Sequence, residues 1–244
     1  MSDHDGVEQV ITMAWRAHRG MEKTKAIIAS YVGVLLYSAL VFLGAWKIAY
    51  WQGLLYVVLA LVGTTLSHIL VPAGSTISAD RAREARAGRD WDKRLLGAYF
   101  LVNGVTFLMA GLDSGRFGWT GDVAVGVTVA GASLMLSGQA LFAVAKRENA
   151  FFSSTVRIQT ERGHQVCDEG LYRFVRHPGN LGMLTSLLAF PLVMNSYWAF
   201  VPAGIGAILL VVRTVLEDRF LVDELPGYRD YTNTTRWKLL PGLF

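Results

Sequence analysis

The sequence predicts an all-α integral membrane protein with four transmembrane helices, a C-terminal helical hairpin and a small polar region on the cytoplasmic side. Two observations predict this fold class. Only 17% of the 244 residues are charged, whereas soluble domains usually carry about 25%. In addition, long apolar runs alternate with short, heavily charged connectors, which is typical of polytopic membrane proteins.

Four apolar runs are long enough, or nearly so, to cross a bilayer core, which needs about 20 helical residues. They are 27–46, 53–71, 95–112 and 123–145. A fifth apolar region, 181–212, is interrupted by Met194-Asn195-Ser196-Tyr197. We therefore predict two helices joined as a hairpin, each of them short for a simple span.

The distribution of basic residues supports this layout, because cytoplasmic connectors of membrane proteins are rich in lysine and arginine. If every predicted run crosses the membrane, all 23 Lys and Arg residues except Lys47 and Arg116 fall on one side. If one span were assigned wrongly, the basic residues would be divided between the two sides of the membrane. We therefore expect the N- and C-termini to be cytoplasmic.

The chain is predicted to have three parts: residues 1–26, the four transmembrane helices in 27–145, and a polar region with the hairpin 179–212 in 146–244. No cleavable signal peptide is apparent. In the first part, apolar residues recur at helical spacing, which indicates an amphipathic helix. They are Val7, Val10, Ile11, Ala14 and Trp15. This helix lies either on an anionic leaflet or against the protein's own cytoplasmic face.

The expected partners are membrane lipids. The net charge of +4 is modest, and we expect no nucleic-acid partner. Cys167 is the only cysteine, which excludes an intrachain disulfide and a thiolate cluster; we interpret it as a packing residue and expect no metal site. Gly131 and Gly138 permit close helix contacts, which we interpret as packing within one chain. The oligomeric state stays open.

The first polar segment on the predicted cytoplasmic side is 146–178. Within it, Val156, Ile158 and Val166 flank a turn-like stretch at 161–164, which predicts a short β-hairpin. The segment ends in Arg176-His177-Pro178. Proline suits the first turn of a helix, so Arg176 and His177 are expected at a helix N-terminus, where cations and free N–H groups favour a carboxylate or phosphate.

The second polar segment, 213–244, follows the last apolar run. Arg213 and Glu217 are four residues apart and therefore share a helix face. Asp218 follows, and then Tyr228 and Tyr231. A charged helix that leaves the membrane is most often a solvated face. Two such clusters on the same side of the membrane instead favour a ligand site.

Together the two segments resemble the isoprenylcysteine carboxyl methyltransferase superfamily of integral membrane methyltransferases, which includes phospholipid methyltransferases. The resemblance covers roughly residues 146–244. The matching positions are Gly170, Tyr172 and Arg173; Arg176-His177-Pro178-Gly179-Asn180-Leu181-Gly182; Arg213, Glu217 and Asp218; Tyr228-Arg229-Asp230-Tyr231; and Arg236 with Pro241. One departure is that Asn180 stands where the family usually has Tyr.

The resemblance implies S-adenosylmethionine as methyl donor. The implied cofactor-binding residues are His164, Tyr172, Arg176, His177, Pro178, Asn180, Gly182, Glu217, Tyr228 and Tyr231, and the implied catalytic residues are Arg213 and Glu217.

Each group of these residues has an expected role. Arg176 and His177 would bind the donor's carboxylate. Glu217 or Asp218 would meet its ammonium or neutralise Arg213, and the tyrosine rings would face adenine or sulfonium. Arg213, held by Glu217, would orient the acceptor. His177 is also a candidate base for an acceptor that carries a proton.

The acceptor is expected to be a lipophilic or small molecule whose identity the residues do not specify. Two alternatives stay open. The first is an NADPH-dependent membrane reductase of the sterol reductase type, which usually has an acidic residue soon after the motif; here none follows before Glu217. The second is a non-catalytic membrane sensor or scaffold, which the Asn180 replacement keeps open.

Overall fold

The computed structural model describes residues 3–71 and 88–244, with the backbone alone for residues 3–19, 22 and 23. Helices account for most of the described chain. They are α1 (Asp3–Ala45), α2 (Trp51–Leu70), α3 (Asp90–Ala110), α4 (Val125–Glu148), α5 (Pro178–Val193), α6 (Phe200–Glu224) and α7 (Tyr228–Thr234). Helix α3 runs directly into a π-helix, Gly111–Phe117.

Five helices within the described ranges are long and apolar enough to cross a membrane. They are Thr24–Ala45 of α1, α2, α3 with its π-helical extension, α4, and α6. The chain is therefore a multi-pass, all-α integral membrane protein. The four predicted spans are confirmed to within a few residues at most of their ends.

The hairpin is confirmed, but the prediction that both of its helices are short is wrong for the second. Helix α5 has 16 residues, whereas α6 has 25 and is itself long enough to span. Helix α6 continues past residue 212 because the charged residues that follow are not simply solvated. Arg213 and Asp218 are buried there and paired with other parts of the chain.

A buried carboxylate fixes the hairpin turn between α5 and α6. Asp113, in the π-helix, is fully buried and accepts hydrogen bonds from Ser196 Oγ (2.7 Å) and the backbone N–H of Trp198 (3.3 Å). The backbone N–H of Thr120 donates to the same carboxylate at 2.8 Å. The turn is thereby tied to the end of the third span.

Helices α4 and α5 approach each other through glycines. A Cβ at Gly182 would lie 2.6 Å from the carbonyl oxygen of Gly138, and one at Gly138 would lie 2.8 Å from that of Gly182. A Cβ at Gly131 would likewise lie 2.6 Å from Leu192 Cβ. The interpretation of Gly131 and Gly138 as packing residues within the chain is confirmed. The same contact accounts for the glycine at 182.

The N-terminal predictions fall largely outside the described residues. Helix α1 is continuous from Asp3 to Ala45, so the predicted boundary at residue 26 is not a helix boundary. The side chains of the apolar face at Val7–Trp15 lie outside the description, and its contact with lipid or protein stays a prediction. The connector 72–87 also lies outside the described ranges.

The predicted β-hairpin in segment 146–178 is wrong, since the described residues there contain no strand. A single 3₁₀ turn, Thr160–Arg162, occupies its centre. The fully buried side chain of Gln159 donates to the carbonyl of Phe151 at 2.6 Å and accepts from Arg162 Nη1 at 2.6 Å. Side chains therefore satisfy the hydrogen bonds that a second strand would have supplied.

The glycine contact between α4 and α5 makes a testable prediction. Gly182→Ala places a methyl group against backbone atoms that cannot rotate away, and overpacking of this kind costs about 1–3 kcal/mol. We expect the variant to unfold at a lower temperature in detergent. Gly204→Ala in α6 is the matched control, because its Cβ meets nothing within 4 Å. Equal unfolding temperatures for the two variants would contradict this packing.

Candidate active site

A cleft lies where the start of α5, the end of α6, helix α7 and the loop 149–177 meet. It encloses about 770 Å³ of empty space, including open solvent at its mouth. Most of the predicted site residues line it. They are His164, Tyr172, Arg176, His177, Asn180, Arg213, Glu217, Tyr228 and Tyr231. Pro178 and Gly182 are not among its lining residues.

The motif Arg176-His177-Pro178 forms the start of α5, as predicted. Pro178 is the first helical residue and His177 caps the helix. The backbone N–H groups of Arg176 and His177 donate to the carbonyls of Trp237 (2.9 Å) and Lys238 (3.0 Å). The C-terminal tail is thus hydrogen-bonded to the motif, although the two lie about 60 residues apart.

Arg176 forms a bidentate ion pair with Asp218, from Nε at 2.7 Å and from Nη2 at 2.9 Å. Its Nη1 donates to the carbonyls of Thr235 and Arg236, each at 2.8 Å. Burial acts to lower the pKa of Arg176, but the contact with Asp218 outweighs it and the pKa is raised. Four of the five guanidinium N–H groups thus donate to protein atoms. Little of Arg176 is left to bind the carboxylate of the methyl donor, which is the role that we expected for it.

His177 lies between two carboxylates. Its Nε2 is 3.1 Å from Asp218 Oδ1, and its Nδ1 is 3.8 Å from Glu217 Oε2. The hydroxyl of Tyr228 donates to the same Asp218 oxygen at 3.2 Å. Asp218 therefore joins α6 to the motif and to α7.

Arg213 is buried and paired with a carboxylate from the start of α3. Its Nε donates to Asp92 Oδ1 at 2.7 Å, and the other oxygen of Asp92 accepts the backbone N–H of Val156 at 2.8 Å. Sequence reasoning missed Asp92. Acidic residues in the first turn of a helix ordinarily stabilise its N-terminus, so nothing distinguished Asp92 from its exposed neighbour Asp90.

Asn180 connects the two predicted catalytic residues. Its Oδ1 accepts from Arg213 Nη1 at 3.1 Å, and its Nδ2 donates to Glu217 Oε2 at 2.9 Å. Arg213 Nη1 is also 3.4 Å from that same glutamate oxygen. The amide that replaces the family tyrosine thus holds Arg213 and Glu217 in a fixed relation.

Three buried tyrosines form one wall of the cleft. Burial raises the pKa of Tyr172, Tyr228 and Tyr231 above the ordinary value of tyrosine, so all three are neutral phenols near pH 7. Tyr231 donates to the carbonyl of Tyr172 at 2.6 Å, and Tyr172 donates to that of Ala145 at 3.3 Å. Their hydroxyls are bonded to the protein, and their rings remain to contact a ligand.

Residues of the loop 149–177 that precede Tyr172, including His164 and Cys167, also line the cleft. Burial lowers the pKa of His164, and the charges of Arg157 and Arg162 lower it further. Burial raises the pKa of the Cys167 thiol, and its Sγ is 3.8 Å from the carbonyl of Glu148. A neutral thiol in that place agrees with a packing residue.

The pair between Asp92 and Arg213 makes a second testable prediction. Asp92→Asn leaves a buried guanidinium without its carboxylate, and breaking a buried pair costs about 3–5 kcal/mol. We expect a large loss of thermal stability in detergent, measured by the unfolding temperature. The matched control is Asp90→Asn in the same helical turn, because Asp90 is exposed and its pair with Lys93 is a surface pair. A loss equal to that of the control would contradict the role of Asp92.

The fold and the cleft together define the class of the protein: a multi-pass helical membrane protein with a cleft lined by arginines, a carboxylate and tyrosines at one end of its helices. Residues 130–223 match the model of the isoprenylcysteine carboxyl methyltransferase (ICMT) family. The match includes most of α4, the loop 149–177, α5 and nearly all of α6. It confirms the resemblance seen in the motifs and supports a membrane methyltransferase. The chain matches none of the curated proteins.

Proposed function

We propose that the protein is an S-adenosylmethionine-dependent methyltransferase that acts on an acceptor with a lipophilic part at the cytoplasmic face of the membrane. The observation behind the proposal is the cleft, most of whose lining residues lie in the family-matched segment 130–223. It combines arginines, one carboxylate and three buried tyrosine rings. S-adenosylmethionine presents the complementary groups, which are a carboxylate, an ammonium, a sulfonium and an adenine.

The residues of the cleft fit such a donor. The described contacts of Glu217 all use Oε2, so that Oε1 can accept a bond from a cationic group of the donor. The rings of Tyr228 and Tyr231, at 71° to each other with centroids 5.4 Å apart, offer faces to adenine or sulfonium.

When bound, the donor would supply an electrophilic methyl group, which would pass from sulfur to the acceptor nucleophile with the thioether as leaving group. The protein's part is alignment and exclusion of water. Arg213 is suited to orient the acceptor, because Asp92 and Asn180 fix its guanidinium. A carboxylate acceptor requires no base. For an amine, thiol or phenol, His177 is our candidate to receive the proton.

A second cavity among α1 to α5 is the proposed site for the lipophilic part of the acceptor. It encloses about 1480 Å³ of empty space, again including its open mouth. Apolar residues line it towards the centre of the helices, and polar residues line it near the cleft. The apolar group is Tyr56, Ala60, Phe107, Met135, Leu187 and Phe190; the polar group includes Ser67, His68, Tyr99, Asn103, Lys146 and Ser154. Phe152 lines both cavities, so the polar end of an amphiphilic acceptor would face the cleft there.

Calorimetric titration of the detergent-purified protein with S-adenosylhomocysteine and with NADPH tests the proposal. We expect saturable binding of S-adenosylhomocysteine and none of NADPH. His177→Ala should weaken binding roughly tenfold or more, because it removes a buried hydrogen-bonding group from the cleft. Arg219→Ala is the matched control, since Arg219 is exposed on the same helix as Glu217 and does not line the cleft.

Two outcomes would contradict this proposal. Binding of NADPH in place of S-adenosylhomocysteine would favour the membrane reductase. If the protein is folded, as judged by its thermal unfolding, and binds neither compound, the non-catalytic sensor or scaffold becomes the better interpretation.

A further inference from the structure

The arginines of the cleft differ in how their charges are neutralised. Arg176 is paired with Asp218 and Arg213 with Asp92, and all four side chains are almost completely buried. The third arginine that lines the cleft is Arg157. Its described carboxylate partner is Glu161, whose side chain is 56% exposed. Solvent screens that pair, so Arg157 is the least neutralised of these three cations.

Arg157 also has an unsatisfied donor inside the protein. Its side chain is only 13% exposed, and its Nε is buried without a hydrogen-bond partner. Among the residues that the structure describes, the only other such side-chain atom is Gln139 Oε1. A buried guanidinium N–H without an acceptor is unfavourable. A ligand that supplies an anionic oxygen removes this penalty.

The backbone around Arg157 is held in place on both sides. The backbone N–H of Val156 donates to Asp92, and the carbonyl of Val156 accepts from the N–H of Arg89 at 3.2 Å. Two residues after Arg157, the buried side chain of Gln159 fixes the 3₁₀ turn. The guanidinium is therefore presented by an ordered loop that is tied to the same carboxylate as Arg213. Such preorganisation favours binding, because less freedom is lost.

We infer that Arg157 binds the carboxylate of the methyl donor. The inference rests on the proposed function and assigns the donor's carboxylate to the loop 149–177, since Arg176 is committed to Asp218. The Nε–H and an Nη–H of a guanidinium form the planar fork that a carboxylate accepts with two parallel hydrogen bonds. Arg157 meets this requirement with an Nε–H that no protein atom uses.

Two ligands that differ only in the carboxylate test this assignment. The titration uses S-adenosylhomocysteine and its decarboxylated analogue, S-adenosyl-3-thiopropylamine, on the full-length protein in detergent. For Arg157→Ala we expect roughly 10- to 100-fold weaker binding of S-adenosylhomocysteine, the effect of losing a charge-assisted hydrogen bond. Binding of the analogue should change by less than about twofold, because it never used the arginine.

The matched control is Glu161→Gln, which removes the partner of Arg157 and keeps the guanidinium. It should bind S-adenosylhomocysteine at least as tightly as the wild type. Arg157→Lys retains the charge but loses the fork, and its ratio of affinities for the two ligands should fall between those of the wild type and Arg157→Ala. This ratio also decides the question if Arg157→Ala does not fold.

Three outcomes would overturn the assignment. Equal weakening of both ligands by Arg157→Ala would show that the residue acts only on the structure of the loop. Unchanged binding of S-adenosylhomocysteine would show that another group holds the carboxylate. If the folded wild-type protein binds neither ligand, the proposed function fails as well. This result differs from the other two because it is obtained with the wild-type protein alone.

Discussion

The burial of one carboxylate, that of Asp218, determines how the cleft is assembled. A carboxylate taken out of water must be compensated by cations and hydrogen-bond donors. Here the donors are three side chains from two elements: Arg176 and His177 before α5, and Tyr228 in α7. Arg176 in turn holds the C-terminal tail through the carbonyls of Thr235 and Arg236. The side chains around Asp218 are therefore positioned before any ligand arrives.

The first turn of the short helix α5 has a fixed position in the cleft, because contacts with other parts of the chain hold both ends of the helix. At its start, His177 contacts Asp218 and the tail; past its end, Asp113 binds the hairpin turn. Between these points, the glycine contacts with α4 set the separation of the two helices. A site whose side chains project from well-packed helices keeps a more defined geometry than one built on loops alone.

The sequence was informative where the signal was local. Hydropathy located the spans, and Pro178 located the start of α5. The pairing of Arg213 with Asp92 could not be predicted from the sequence. The two residues are 121 positions apart, and each has an ordinary local explanation. The strand prediction around Val156 failed for a related reason. Its apolar spacing was real, but Ile158 and Val166 pack against the buried cluster of Ala145, Tyr172, Leu225, Tyr228 and Tyr231. The backbone N–H of Val156 donates to Asp92 of α3 instead of to a second strand.

The replacement of the family tyrosine by Asn180 bears on whether the site has kept its chemistry. Any buried amide needs hydrogen-bond partners, and the partners of this one include the two predicted catalytic residues. Here its oxygen accepts from Arg213 and its nitrogen donates to Glu217, so that the amide bridges two groups of opposite charge. A phenol hydroxyl could also donate to one group and accept from another, but the tyrosine side chain is much larger. Asn180 therefore holds Arg213 and Glu217 together with a smaller side chain. It lies in the turn of α5 between Gly179, which lines the cleft, and Met183, which lines the second cavity. The substitution is compatible with a site that retains its charged pair.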